Sequence, residues 1–130
     1  MSSDAAGSLI RLIDNSVDAT LASLFVAFPC RVVDFNQETG MTTVQPLIRM
    51  GSEDPALIQN VPALGQKLSV EGVEQIYRPV LMAGDMVFVV CADQEIRNTL
   101  TGQIASPDTK RRHSKMDAVI VGVFPCSLSS

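Results

Sequence analysis

His113, the single histidine of the chain, lies in the run Lys110-Arg111-Arg112-His113-Ser114-Lys115 and is the first candidate for proton-transfer chemistry. A general base needs a nucleophile or an orienting acid within hydrogen-bond reach, and no Gly-x-Ser-x-Gly turn or acidic pair flanks it. His113 therefore reads as a surface or subunit-contact residue. Its neighbours Arg111 and Arg112 belong to a solvated loop, pair with carboxylates across a subunit interface, or touch phosphates; the run alone leaves all three open. Cys30, Cys91 and Cys126 are far apart, lack Cys-x-x-Cys spacing and have one histidine to help them, so we expect reduced thiols behaving as small hydrophobes in strands. Glu53-Asp54 is a turn pair, and Asp93 and Glu95 share the start of a short helix; neither makes a calcium loop or a glycosidase dyad. Gly65 and Gly72 lack the Gly-Lys-Ser/Thr ending of a phosphate-binding loop. No active site, metal site or cofactor is expected from these residues.

Composition narrows the classes further. A chain of 130 residues has room for one domain and a short appendage. It is 46% hydrophobic with five Phe, one Tyr and no Trp, so the core must be built from Val, Ile, Leu, Ala and Met. A formal charge of −4 opposes general nucleic-acid binding, which works by neutralising phosphates with Lys and Arg. With 18% charged residues, some of the surface must be apolar, a sign of permanent partners. No apolar run reaches the length of a membrane span, and the first residues lack the basic region of a secretory signal, so export by that route is not expected.

Two textures position these residues. From Asp4 to Phe28 the apolar positions Ala6, Ile10, Ile13, Val17, Leu21, Leu24 and Phe28 step by four and three, which predicts one long amphipathic helix. Ser2, Ser3 or Asp4 can cap its start, and Pro29 disfavours helical geometry at Phe28. Ile10, Ile13 and Val17 recur eleven residues on as Leu21, Leu24 and Phe28, close to the repeat of an unsupercoiled helix. Such a stripe needs a partner: its own barrel, copies of itself about a symmetry axis, or another subunit. Arg11, Asn15 and Asp18 lie off it.

From Cys30 the pattern turns to strands. Cys30–Phe35 and Met41–Arg49 form a hairpin across the Asn36–Gly40 turn, with Pro46 suggesting an edge or bulge. Leu57–Leu64 is a third extended run, residues 65–72 a loop or short irregular hairpin, and Val73–Arg78 a further strand. Ala83-Gly84-Asp85 turns into Met86–Cys91, the most apolar run, expected to be central and buried on both faces. Asp93–Leu100 is expected as a short helix capped by Asp93 and ended by Gly102, and Met116–Phe124 as the closing strand. The predicted fold is all-β: a small OB-type Greek-key barrel preceded by one long N-terminal amphipathic α-helix, with a β-sandwich as competitor. Its parts are the helix at 1–28, for oligomerisation or docking on another subunit, the barrel at 29–126 and a short tail at 127–130.

In order along the chain, Phe28–Val33, Thr43–Ile48, Asn60-Val61-Pro62, Arg78-Pro79-Val80 with Ala83-Gly84-Asp85, Cys91–Ile96 and Arg111–Ala118 resemble one family. It is the N-terminal OB domain of bacteriophage contractile-tail baseplate spike proteins, the cell-puncturing device at the tail tip. The resemblance spans roughly residues 9–125. It implies a structural, non-enzymatic virion protein of the tail baseplate, assembled in the bacterial cytoplasm: a homotrimer seated on the tail hub, with barrels around a threefold axis. Members that puncture membranes continue into a triple-stranded β-helix whose tip can hold iron through paired histidines. Here Ser130 follows the closing strand closely and His113 has no second histidine, so the expectation is a plug or hub adaptor, with any tip supplied by a separate protein. Ile10, Ile13, Val17, Leu21 and Leu24, with Arg111, Arg112 and His113, are the expected assembly contacts. The competing function is an OB-type single-strand nucleic-acid module.

Overall fold

The structure, a computed structural model, describes residues 2–22 and 24–129. Helix α1 (Ser2–Ala22) is followed by β1 (Ala27–Phe35), β2 (Met41–Pro46), β3 (Ile58–Pro62), β4 (Gln66–Val70), β5 (Val73–Tyr77), β6 (Met86–Cys91) and β7 (Ala118–Val123). Five strands make one curled antiparallel sheet in the order β3-β2-β1-β6-β7, and β4 pairs with β5 in a separate two-stranded sheet. The ends of the large sheet meet through a parallel bridge between Ala63 and Ile120, where the Leu64 amide donates to the Ile120 carbonyl at 3.1 Å. This is the OB-type barrel expected from the strand pattern. The sandwich is ruled out because the small sheet does not cover the large one: β4 is exposed at every position and β5 at all but one.

Period-two alternation builds the interior. Thr42, Val44 and Pro46 of β2 and Val87, Val89 and Cys91 of β6 point inward and are buried. Cys30 and Val32 of β1 with Ile58, Val61, Leu81, Ala118 and Ile120 complete the core. β-Branched side chains dominate it, as suits pleated strands.

Several expected boundaries move. The helix ends at Ala22, not at Phe28, because the chain beyond it is claimed by the sheet: the Cys91 amide donates to the Val26 carbonyl at 2.9 Å, and the β1–β6 ladder starts at Ala27 opposite Val90. Phe25 and Phe28 pack on the core from there, so Leu24 and Phe28 leave the helical stripe. The eleven-residue repeat thus straddles a helix and a strand. Strand β6 is not buried on both faces; Met86, Phe88 and Val90 on its outer side are half-buried, Phe88 meeting Phe124 edge to face. It lies beside β1, which is the middle strand. Pro46 sits on neither an edge strand nor a bulge. It closes β2 opposite Cys30, where a missing amide costs least, and the ladder irregularities fall at Val32/Asp34 and Thr42/Val44.

Turns carry the connections. Asn36 Oδ1 accepts from the amides of Glu38 (2.9 Å) and Thr39 (3.2 Å), and Gly40 takes φ +76° to enter β2. Of the two readings of residues 65–72, a loop or a short irregular hairpin, the structure takes the hairpin and makes it regular, with Gln66–Val70 as its first strand. Its two-residue turn has φ +51° at Glu71 and +79° at Gly72, the handedness that matches strand twist. The expected Asp93-capped helix is only a 3-10 turn at Arg97–Thr99, although Gly102 does end it, with φ +88° and its amide on the Thr99 carbonyl. Met116 falls in a second 3-10 turn, Lys115–Asp117, and the closing strand starts at Ala118.

Candidate assembly surfaces and the charged loop

The longest irregular segment, between β6 and β7, holds the buried carboxylates among the described residues, Glu95 and Asp117. Asp117 precedes β7 and is almost fully buried, as is Glu95 just after β6. Burying a carboxylate without partners is costly, and Arg111 supplies one partner to both. Its Nε donates to Asp117 Oδ2 at 2.7 Å and its Nη2 to Oδ1 at 2.9 Å, while Nη1 lies 3.5 Å from Glu95 Oε2. The remaining lone pairs are met by the chain: Asp117 accepts from the Ile96 amide at 3.2 Å, and Glu95 accepts from the Thr109 hydroxyl at 2.6 Å and from the Thr109 and Asp108 amides.

The electrostatics follow from these contacts. Asp117 is held below the usual carboxylate range, chiefly by the Arg111 hydrogen bonds working against burial. Glu95 is lowered chiefly by the Thr109 hydroxyl, again against burial. Arg111 is raised by its hydrogen bonds to Asp117. The group is a lock on the 93–117 loop, and it accounts for why the Asp93–Leu100 stretch does not become a helix: Glu95 and the Ile96 amide are drawn across the loop.

Two more residues of the basic run, Lys115 and His113, are also engaged. Lys115 Nζ stands 4.7 Å over the Phe25 ring, and the His113 carbonyl accepts from the Phe25 amide at 2.8 Å. His113 has φ +45°, its Nε2 is 3.4 Å from Asp93 Oδ1, and its buried Nδ1 has no hydrogen-bond partner among the described residues. Of the expected contact residues in this run, Arg111 is therefore engaged inside its own chain and His113 is half-buried at the foot of α1. Arg112 is exposed, bridged through its backbone to Gln94. Lys110 and Arg112 are the cations of this run turned to solvent, which is no phosphate-tracking stripe. Among the described residues no group of three or more His, Cys, Asp or Glu is placed to hold a metal ion. Asp93 and Glu95 face opposite partners, and Asp54 is tied to Arg49, whose Nε donates to it at 2.9 Å.

The thiols behave as small hydrophobes where they are buried. Cys30 is pushed up to about 12 and Cys91 to about 11, in both cases mainly by burial. Cys126 is free and exposed.

Apolar groups, in contrast, face outward. Ile10, Ile13, Val17 and Leu21 are 51–60% exposed and Leu24 is 37% exposed, so the stripe does not pack on its own barrel. Leu9 and Leu12, outside the expected stripe, are equally bare and widen the apolar band. A second apolar surface went unread in the sequence: the face of the β4–β5 hairpin carrying Leu68, Val70, Val73 and Tyr77. Period two in Leu68/Val70 and Val73/Tyr77 was the available signal, masked by the turn residues around it. A third is a groove of about 490 Å³ at the foot of α1, where Leu21 and Leu24 meet Phe28, Ile48 and Met50.

Fold and surface together define a small OB-type barrel whose buried carboxylates hold a loop and whose helix and hairpin leave apolar groups on the outside. Residues 28–122 match the family described as phage protein Gp138 N-terminal domain, and the chain belongs to that family of phage proteins. The resemblance seen in the ordered sequence segments is thereby established, and the family points to a non-enzymatic structural role. Helix α1 lies outside the matched stretch. No curated protein matches the chain.

Proposed function

We propose that this chain is a structural component of a phage tail baseplate, a trimeric central spike or hub adaptor that closes the tip of the tail tube. The observation that carries this reading is α1: a 21-residue helix with an exposed apolar band, attached to the barrel of a phage structural family through the Phe25–His113 bond. Most helical stability in proteins comes from packing an amphipathic face rather than from propensity, so the exposed apolar band of α1 calls for a partner surface. A threefold bundle or a docking site on the hub supplies one. The virion, and within it the tail baseplate, is the corresponding location.

Light scattering on the full chain, with capture assays against hub proteins from the same virus, tests the reading. A trimer, or a complex with the hub, is expected. A stable monomer without affinity for hub proteins overturns it.

A further inference from the structure

The exposed area of the chain is 9682 Å², whereas a folded monomer of 14.0 kDa is expected to expose about 6,700 Å². The surplus of about 3,000 Å² exceeds the roughly 800 Å² that a standard interface takes from each partner. One contact does not absorb it. More than one surface of the chain is therefore left for partners.

The chain presents two complementary shapes for such a contact. The β4–β5 hairpin is a blade, and a two-stranded hairpin with nothing packed on it is marginal at best in water. One face of that blade is Leu68, Val70, Val73 and Tyr77. The groove at the foot of α1 is concave and lined by Leu24, Phe28, Ile48 and Met50. Polar groups flank both apolar surfaces: Gln66 and Gln75 share the hairpin face, Glu71 stands at its turn, and Lys115 and Glu53 line the groove. A hydrophobic centre with a mixed polar rim is the usual make-up of a protein–protein contact. Blade and groove lie on different parts of one chain, so a contact between them is head-to-tail, the kind that closes into a ring.

We propose that the apolar face of the β4–β5 hairpin seats in the groove at the foot of α1 on a second copy of this chain. This rests on the reading above that the chain self-assembles, and it adds a barrel-to-barrel contact separate from the helix.

The test uses the full chain with Cys126→Ser, which removes the exposed native thiol. Leu68→Cys with Met50→Cys, under mild oxidation, should give disulfide-linked species up to the closed ring on a non-reducing gel, and neither single variant should. Separately, Leu68→Glu with Val73→Glu should raise the concentration of half-assembly at least tenfold while the circular dichroism of the barrel is kept. An oligomer that persists in the double glutamate variant, without cross-linking in the cysteine pair, overturns the hairpin contact and leaves the assembly reading standing. Cross-linking by Leu68→Cys alone also overturns it, in favour of hairpin-to-hairpin pairing. So does loss of hub capture in the glutamate variant with the oligomer intact, which gives the hairpin to a different protein. A wild-type chain that is monomeric at all concentrations overturns both.

Discussion

Arg111 grips Asp117 through two parallel hydrogen bonds, Nε to Oδ2 at 2.7 Å and Nη2 to Oδ1 at 2.9 Å, across a turn that starts the last strand of the barrel. Planar two-point pairing of this kind is what guanidinium offers and ammonium does not. Arg111→Lys should therefore lower the melting temperature, and Arg111→Ala should lower it further, because both Asp117 and Glu95 are left buried without their cation. Hydrogen exchange should show the loss concentrated at the Ile96, Asp108 and Thr109 amides. Equal melting temperatures for wild type and Arg111→Ala would remove the lock from the account.

Acid should weaken the same lock. Asp117 and Glu95 titrate below their unfolded values, so their contribution is complete above the unfolded carboxylate range of about 4 and is lost as pH falls through the lower folded values. Denaturant unfolding should show stability independent of this pair from pH 6 to 8 and falling below about pH 4.5. Asp117→Asn should flatten part of that fall.

The cysteines give an opposite slope at high pH. Cys30 and Cys91, raised to about 12 and 11, stay protonated in the fold when the unfolded thiols ionise, so stability falls as pH rises above about 9. A thiol reagent at neutral pH should label Cys126 quickly in the native protein, and Cys30 and Cys91 only on unfolding. Fast native labelling of Cys30 would contradict its burial.

The helix should be separable from the barrel energetically. Ile13→Asp with Val17→Asp removes exposed side chains, so barrel stability should change by no more than about 0.5 kcal/mol. The assembled mass should fall, and with it the helical dichroism, since packing of the apolar face supplies most of a helix's stability in a protein. Unchanged mass in light scattering would shift the self-association to another surface.

At the hairpin tip, Gly72 at φ +79° has the freedom that an L side chain lacks. Gly72→Ala should cost about 1 kcal/mol in local hairpin stability, read as faster exchange at β4 and β5 amides. Glu71→Asn should slow that exchange, since asparagine tolerates the left-handed conformation better.

Much of this protein was legible in its residue order. The strands at Met41–Pro46 and Met86–Cys91, the Asn36–Gly40 turn and the helical stepping from Ile10 to Leu21 are local patterns, and each came out as the element it predicts, although Met86–Cys91 is buried on one face and not on both. The ordered segments from Phe28 onward carried the family. What residue order left open was decided at long range. Phe28 satisfies a helical pattern as well as a strand pattern, and its pairing with Val89 of β6 settles it as a strand residue. Glu95, Arg111 and Asp117 look like surface charges because their spacing in the sequence has no period; only closure of the barrel brings them together and buries them. The exposure of the helix stripe and of the hairpin face is likewise a tertiary property. A sequence shows which side of an element is apolar, but whether that side meets its own barrel or points away from it depends on where the chain enters the sheet, which here is fixed by the Val26–Cys91 and Phe25–His113 bonds.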